Sequence, residues 1–138
     1  MKIRDLIKIL EEDGWRQVRM RGSHRQYRHA SKGGTITVVG KANIDIPPGT
    51  LASHFKTGRP EVGGGRIMKY MVVVEKGDTS YGAHVPDLPG CIAVGQSREE
   101  VLGLIREAIE LHIEGLKEAG EPVPMPSSVS EYVSVDAA

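Results

Sequence analysis

The sequence predicts an α+β protein built from two small domains. Three observations carry that expectation: a change in the sign of charge along the chain, a glycine-rich break at the same place, and two separate successions of short strands and helices. Residues 1–66 hold 13 Lys+Arg and 6 Asp+Glu, a balance of +7, whereas residues 67–138 hold 5 and 12, a balance of −7. The net charge of the 138 residues is therefore zero, yet each half carries a strong field of its own. Segment 58–66, "GRPEVGGGR", has almost no apolar content and reads as a linker. The expected boundaries are 1–57 and 68–138, with 58–67 between them.

In the first half, Ile3, Leu6, Ile7 and Leu10 recur on one helical face, and Gly14 ends that helix. Trp15 to Met20 reads as a strand, Gly22-Ser23 as a turn, and Arg25 to His29 as the returning strand. The β-branched run Thr35 to Val39 gives a third strand. With Pro48 near its first turn, Thr50 to Phe55 starts a short helix. The order is α-β-β-β-α, an antiparallel sheet with helices on one face.

In the second half, Lys69 to Glu75 and Ser80 to Pro86 form a hairpin around "KGDT", and Cys91 to Gly95 is a third strand. A long helix follows. Ser97 and Glu100 form its capping box, Val101, Ile105, Ala108, Ile109, Ile113 and Leu116 share one face, and Gly120 ends it. "EYVSV" at 131–135 reads as a last strand, giving β-β-β-α-β.

The apolar fraction of 39% suffices for a packed core, and no apolar run approaches the roughly 18 residues of a membrane span. The opening "MKIRDLIKIL" alternates charged and apolar residues, unlike a signal peptide. A single cysteine, Cys91, forms no internal disulfide, which points to a reduced, cytoplasmic setting. The histidines lack metal-ligand spacing, so no metal and no cofactor are expected.

The chemistry concentrates in "RMRGSHRQYRHAS", residues 19–31, with four arginines, two histidines and little to bury. Such a segment suits a polyanion. Histidine moves protons near neutral pH, and arginines hold phosphate as its charge grows in a transition state. His24 follows the Gly22-Ser23 turn, with Arg19, Arg21, Arg25 and Arg28 around it. His29 is a second, weaker candidate for proton transfer. His112 falls on the apolar side of the long helix and reads as a core or interface residue.

The opening "LIKILEEDGW", the turn "GSHRQY" and "PPGTL" resemble the HicA family of small toxins, over residues 1 to about 55. That resemblance implies a double-stranded-RNA-binding-domain-like fold and metal-independent mRNA cleavage. It puts the catalytic histidine at His24, with Arg19, Arg21, Gly22, Ser23, Arg25 and Arg28 as RNA-binding residues. The stretch from "MKYMVVVEKGDTSYGAHVPDLPGC" to "EAGEPVP" is similar to the HicB antitoxins, over residues 68 to about 135. This resemblance implies a partial ribonuclease-H-like fold that neutralises the toxin, and no DNA-binding segment follows in the sequence. The joint expectation is a fused toxin–antitoxin whose acidic half covers the basic site, in a homodimer or larger assembly. Given the short linker, the cover is expected from a neighbouring chain. A catalytically silenced fusion, acting only as an RNA-binding or protein-interaction module, is the alternative.

Overall fold

Two strands buried on both faces are the key to the architecture. The computed structural model describes residues 1–53 and 68–138. In it, β3 (Thr35–Val39) and β6 (Cys91–Gly95) are buried along their whole lengths. A strand buried on both faces belongs in the middle of a sheet, covered on both sides. These two lie side by side in parallel, with Thr37 opposite Cys91 and Val39 opposite Ala93.

Each half adds an antiparallel hairpin outward from that seam. β1 (Trp15–Arg21) and β2 (His24–His29) extend one edge, and β5 (Tyr81–His84) and β4 (Val73–Lys76) extend the other. The result is a six-stranded sheet in the order β1-β2-β3-β6-β5-β4. Both halves are mixed α+β, and the sheet runs across the boundary between them.

Helices α1 (Ile3–Glu12) and α2 (Pro48–Ser53) lie on one face, and α3 (Arg98–Glu118) lies on the other. Ile92 and Val94 of β6 pack into the core formed by Ile3, Leu6, Leu10, Tyr27, Ile36 and Val38. In return, Val39 of β3 joins the core beneath α3. The halves also interlock at α2. The Glu75 carboxylate accepts hydrogen bonds from the backbone N–H groups of Gly49 and Thr50, at 3.1 and 2.7 Å, and these bonds hold it below the usual carboxylate range against the opposing effect of burial.

Several sequence expectations need correction. The hairpin strands of the second half are shorter than expected, Val73–Lys76 and Tyr81–His84. Residues 131–135 form no strand. The chain leaving α3 is instead pinned at Asp87, which accepts four hydrogen bonds from the backbone and hydroxyl groups of Ser127 and Ser128 at 2.8–3.1 Å. The short closing helix of the first half is present as Pro48–Ser53. Its expected continuation to Phe55, His54 and the linker lie outside the described residues.

Candidate nucleic-acid interface and its cover

Alternation along the first hairpin decides which side chains meet. On β2, Tyr27 belongs to the core against α1, while Gln26 reaches α3. His24, Gln26 and Arg28 therefore share the α3 face, and Arg25, Tyr27 and His29 share the other. On β1, Gln17 lies opposite Tyr27, so simple alternation would carry Arg19 and Arg21 to the α1 face. A register shift between Gln17 and Arg19 prevents this, placing Arg19 opposite Gln26 and Arg21 opposite His24. The bulge gathers Arg19, Arg21, His24 and Arg28 on one face. Gly22 turns the hairpin with φ +57°, a conformation that favours glycine.

Helix α3 lies across that face and opposes cations with carboxylates. His24 Nε2 is 2.8 Å from Glu107 Oε2. Arg19 pairs with Glu118 and lies 3.7 Å from Glu114. Arg28 pairs with Glu121, just beyond the helix, at 2.7 Å, and its other terminal nitrogen donates to Thr35 Oγ1. Glu107, Glu114 and Glu118 are spaced seven and four apart, one stripe of a helix. Arg21 and His24 line an open groove of about 330 Å³ with Glu107, Glu110, Leu111 and Glu114.

Beneath this charged rim, the contact is tight and polar. Gln26, 1% exposed, donates from Nε2 to the Leu111 carbonyl at 2.9 Å and to Thr37 Oγ1 at 3.1 Å. The Thr37 hydroxyl also lies 2.7 Å from His112 Nδ1. Burial keeps His112 neutral, pushing its pKa down to about 4. Gly115 makes the close approach possible, because a Cβ there would stand 2.3 Å from Gln26 Oε1.

Arg25 does not join the site. It is 7% exposed on the α1 face, where Nη1 donates to the carbonyls of Gly40 at 2.8 Å and Ser23 at 3.3 Å. Burial lowers its pKa from the ordinary arginine value. This is a structural arginine, and strand alternation is the reason. Arg25→Ala is expected to cost about 2–3 kcal/mol, the scale of a buried hydrogen bond from a charged group, whereas Arg21→Ala should stay within roughly 0.5 kcal/mol as a surface change. Urea denaturation of the two variants checks the contrast.

His29 is likewise held in packing. Its Nδ1 accepts from the backbone N–H groups of Ser31 and Lys32, so Nε2 donates to the Asp13 carbonyl at 2.7 Å, and the ring meets Trp15 edge-on at 5.4 Å. The carboxylate that meets His24 belongs to the same chain. The parallel seam sets α3 directly over the hairpin, so the second half has no far side to wrap around. Sequence reasoning missed Gln26, Thr37, Glu107, Glu114, Gly115, Glu118 and Glu121. The acidic stripe alone had a visible signal, its helical spacing.

Among the described residues, no group of three or more His, Cys, Asp or Glu side chains is arranged to hold a metal ion. No helix among them is long and apolar enough to cross a membrane.

The fold and this contact define a protein of two parts, in which an acidic helix of one part is laid over a basic hairpin of the other. Residues 3–58 match the family described as HicA toxin of bacterial toxin–antitoxin, and residues 70–137 match HicB-like antitoxin of bacterial toxin–antitoxin system. The chain belongs to both families, as a HicA–HicB fusion. It is 45% identical over 58 residues to a UPF0150 protein of Thermoplasma acidophilum, covering 41% of this chain and 84% of that one. A UPF0150 protein of Synechocystis is 39% identical over 71 residues, 51% of this chain and 90% of its own. An uncharacterised 14.9 kDa protein of Haemophilus phage HP1 is 36% identical over 67 residues, 49% of this chain. The chain spans half the length of that phage relative. No solved structure matches the chain.

Proposed function

We propose that the first half is a metal-independent endoribonuclease acting on mRNA and that the second half holds it closed within the same polypeptide. The observation that carries this reading is the pairing of His24, Arg19 and Arg28 with carboxylates of a single segment, Glu107 to Glu121. Carboxylates that satisfy an arginine fork occupy the positions that RNA phosphates would take. In the open protein His24 moves a proton at the ribose 2′-hydroxyl or at the leaving oxygen. Arg19, Arg21 and Arg28 hold the scissile phosphate as its charge grows, and Gly22 and Ser23 keep the turn low enough for the RNA backbone to approach.

The alternative of a permanently silenced fusion is favoured by one observation, the exchange of core residues between the halves, which ties the cover to the site. A charge-released chain separates the two readings. With Glu107, Glu114, Glu118 and Glu121 all changed to Gln, the ion pairs of Arg19, His24 and Arg28 are lost, worth about 1–3 kcal/mol together. RNA cleavage should rise by roughly 5- to 150-fold and vanish when His24→Ala is added. Salt-dependent RNA binding with no cleavage supports the silenced fusion. Cleavage that survives His24→Ala overturns the assignment of His24.

A further inference from the structure

Beyond Ser128 the chain carries a row of apolar side chains with nothing to pack against. Val129, Tyr132, Val133 and Val135 are 78%, 100%, 81% and 78% exposed. Side chains of this kind are rarely left in water over so short a stretch. As an extended strand the segment would set Val129, Val133 and Val135 on one side, with Glu131 among them, and Ser130, Ser134 and Asp136 on the other with Tyr132. Its root is fixed by the four hydrogen bonds that Asp87 accepts from Ser127 and Ser128, so it projects from a defined place.

A matching groove is lined in part by Tyr70, whose hydroxyl donates to the Pro124 carbonyl in the segment that leads to the arm. Met68, Tyr70 and Val72 lead into β4, the outermost strand of the sheet, and face Ile105, Ile109 and Ile113 of α3 across a cavity of about 540 Å³. We propose that residues 129–136 form an arm that adds as a strand beside β4 of a second copy, seating Val133 and Val135 in this groove. The second copy returns its own arm, closing a two-fold dimer.

Lengths and charges agree. Eight extended residues reach roughly 26 Å, at about 3.3 Å each. The groove follows α3 from Leu102 to Lys117, roughly 22 Å at 1.5 Å per residue. The groove is lined by Arg106 and Lys117 against Glu110, a balance of +1, while the arm carries Glu131 and Asp136, a balance of −2. Two arms with their grooves would bury roughly 1,500–2,000 Å², the size of a stable interface. The inference is independent of the ribonuclease reading, because it uses neither His24 nor the hairpin.

Light scattering of the full chain at about 50 μM should show a dimer, and a chain ended at Ser128 should be a monomer. For placement, Val133→Cys in one chain and Ile109→Cys in another are mixed and oxidised. Native Cys91 is buried, and burial pushes its thiol up, so it does not compete. A disulfide joining the two different chains supports the arm. A monomeric parent, a truncated chain that remains a dimer, or a Val133→Cys/Ile109→Cys double variant that closes within one chain would each overturn it.

Discussion

Replacing Gly115 with leucine is expected to lift α3 from the sheet and lower stability by about 2–6 kcal/mol. Even the first carbon of the new side chain meets Gln26 Oε1, Cδ and Nε2 at 2.3–2.6 Å. Gln26 cannot swing aside cheaply, because its amide is held by the Leu111 carbonyl and the Thr37 hydroxyl. Yielding therefore leaves buried polar groups unpaired, at about 1–3 kcal/mol, on top of an overpacking cost of about 1–3 kcal/mol. Gly103 supplies the control. It sits in the same helix with nothing within 4 Å of a built Cβ, so Gly103→Ala should stabilise by about 0.5–1 kcal/mol through helix propensity alone. Gly115→Ala should destabilise despite that same gain. Urea midpoints of the three variants test the assignment, and a neutral Gly115→Leu would mean that α3 does not rest on Gln26.

The elements themselves were largely legible. Ser97 caps α3 as its sequence implies, with Glu100 N donating to Ser97 Oγ at 3.1 Å. The Glu100 carboxylate accepts from Gln96 N at 3.2 Å, and not from the Ser97 N–H that a full capping box uses. Ile3, Leu6 and Leu10 are buried on one face of α1, and His112 is a core histidine at the junction. The position of His24 beside a turn follows from glycine and strand chemistry alone. The seam between the halves was harder to see. "TITVV" and "CIAVG" each look like a short buried strand, but pairing between segments more than fifty residues apart leaves no local pattern. The bulge that turns Arg19 and Arg21 toward α3 is invisible for the same reason, since a single extra residue in a basic strand changes no periodicity. Arg25 was readable in principle, because neighbours on a strand point oppositely, yet a ring of arginines around His24 hid that alternation.

The seam also changes what the opposite charges of the halves do. Fields of +7 and −7 were grounds to expect steering between partners, yet the pairs in the structure are rim contacts. Glu107, Glu114 and Glu118 have side chains 55–64% exposed, and pairs so exposed are each worth about 0–1 kcal/mol. The tighter hold lies beneath them, in the Gln26–Thr37–His112 contact and the shared apolar cores. Charge sets the register of α3 over the hairpin, and burial keeps it there.

That division makes the closed form sensitive to acid through His112. Its folded pKa of about 4 lies below the ordinary histidine value of 6.5. As pH falls below 6.5 the unfolded chain takes up a proton that the folded chain refuses until about pH 4, so stability is full above 6.5 and is lost through that window. From the two pKa values the loss is about 2 kcal/mol between pH 7 and pH 5, and about 3 kcal/mol once both states are protonated, at about 1.4 kcal/mol per unit. Asp13, Glu75 and Asp87 have lowered pKa values, so their contributions disappear below the carboxylate range, at lower pH. His112 Nδ1 lies 2.7 Å from the Thr37 hydroxyl, so the charge appears beside the contact that seats α3. His112→Asn keeps an acceptor for that hydroxyl and cannot titrate. Urea unfolding of parent and variant at pH 7 and pH 5 should show the parent losing about 2 kcal/mol more than His112→Asn. Equal losses would show that His112 is not the group that titrates. On the ribonuclease reading, the same acid step would loosen the cover over His24 while leaving the arginines charged to receive RNA.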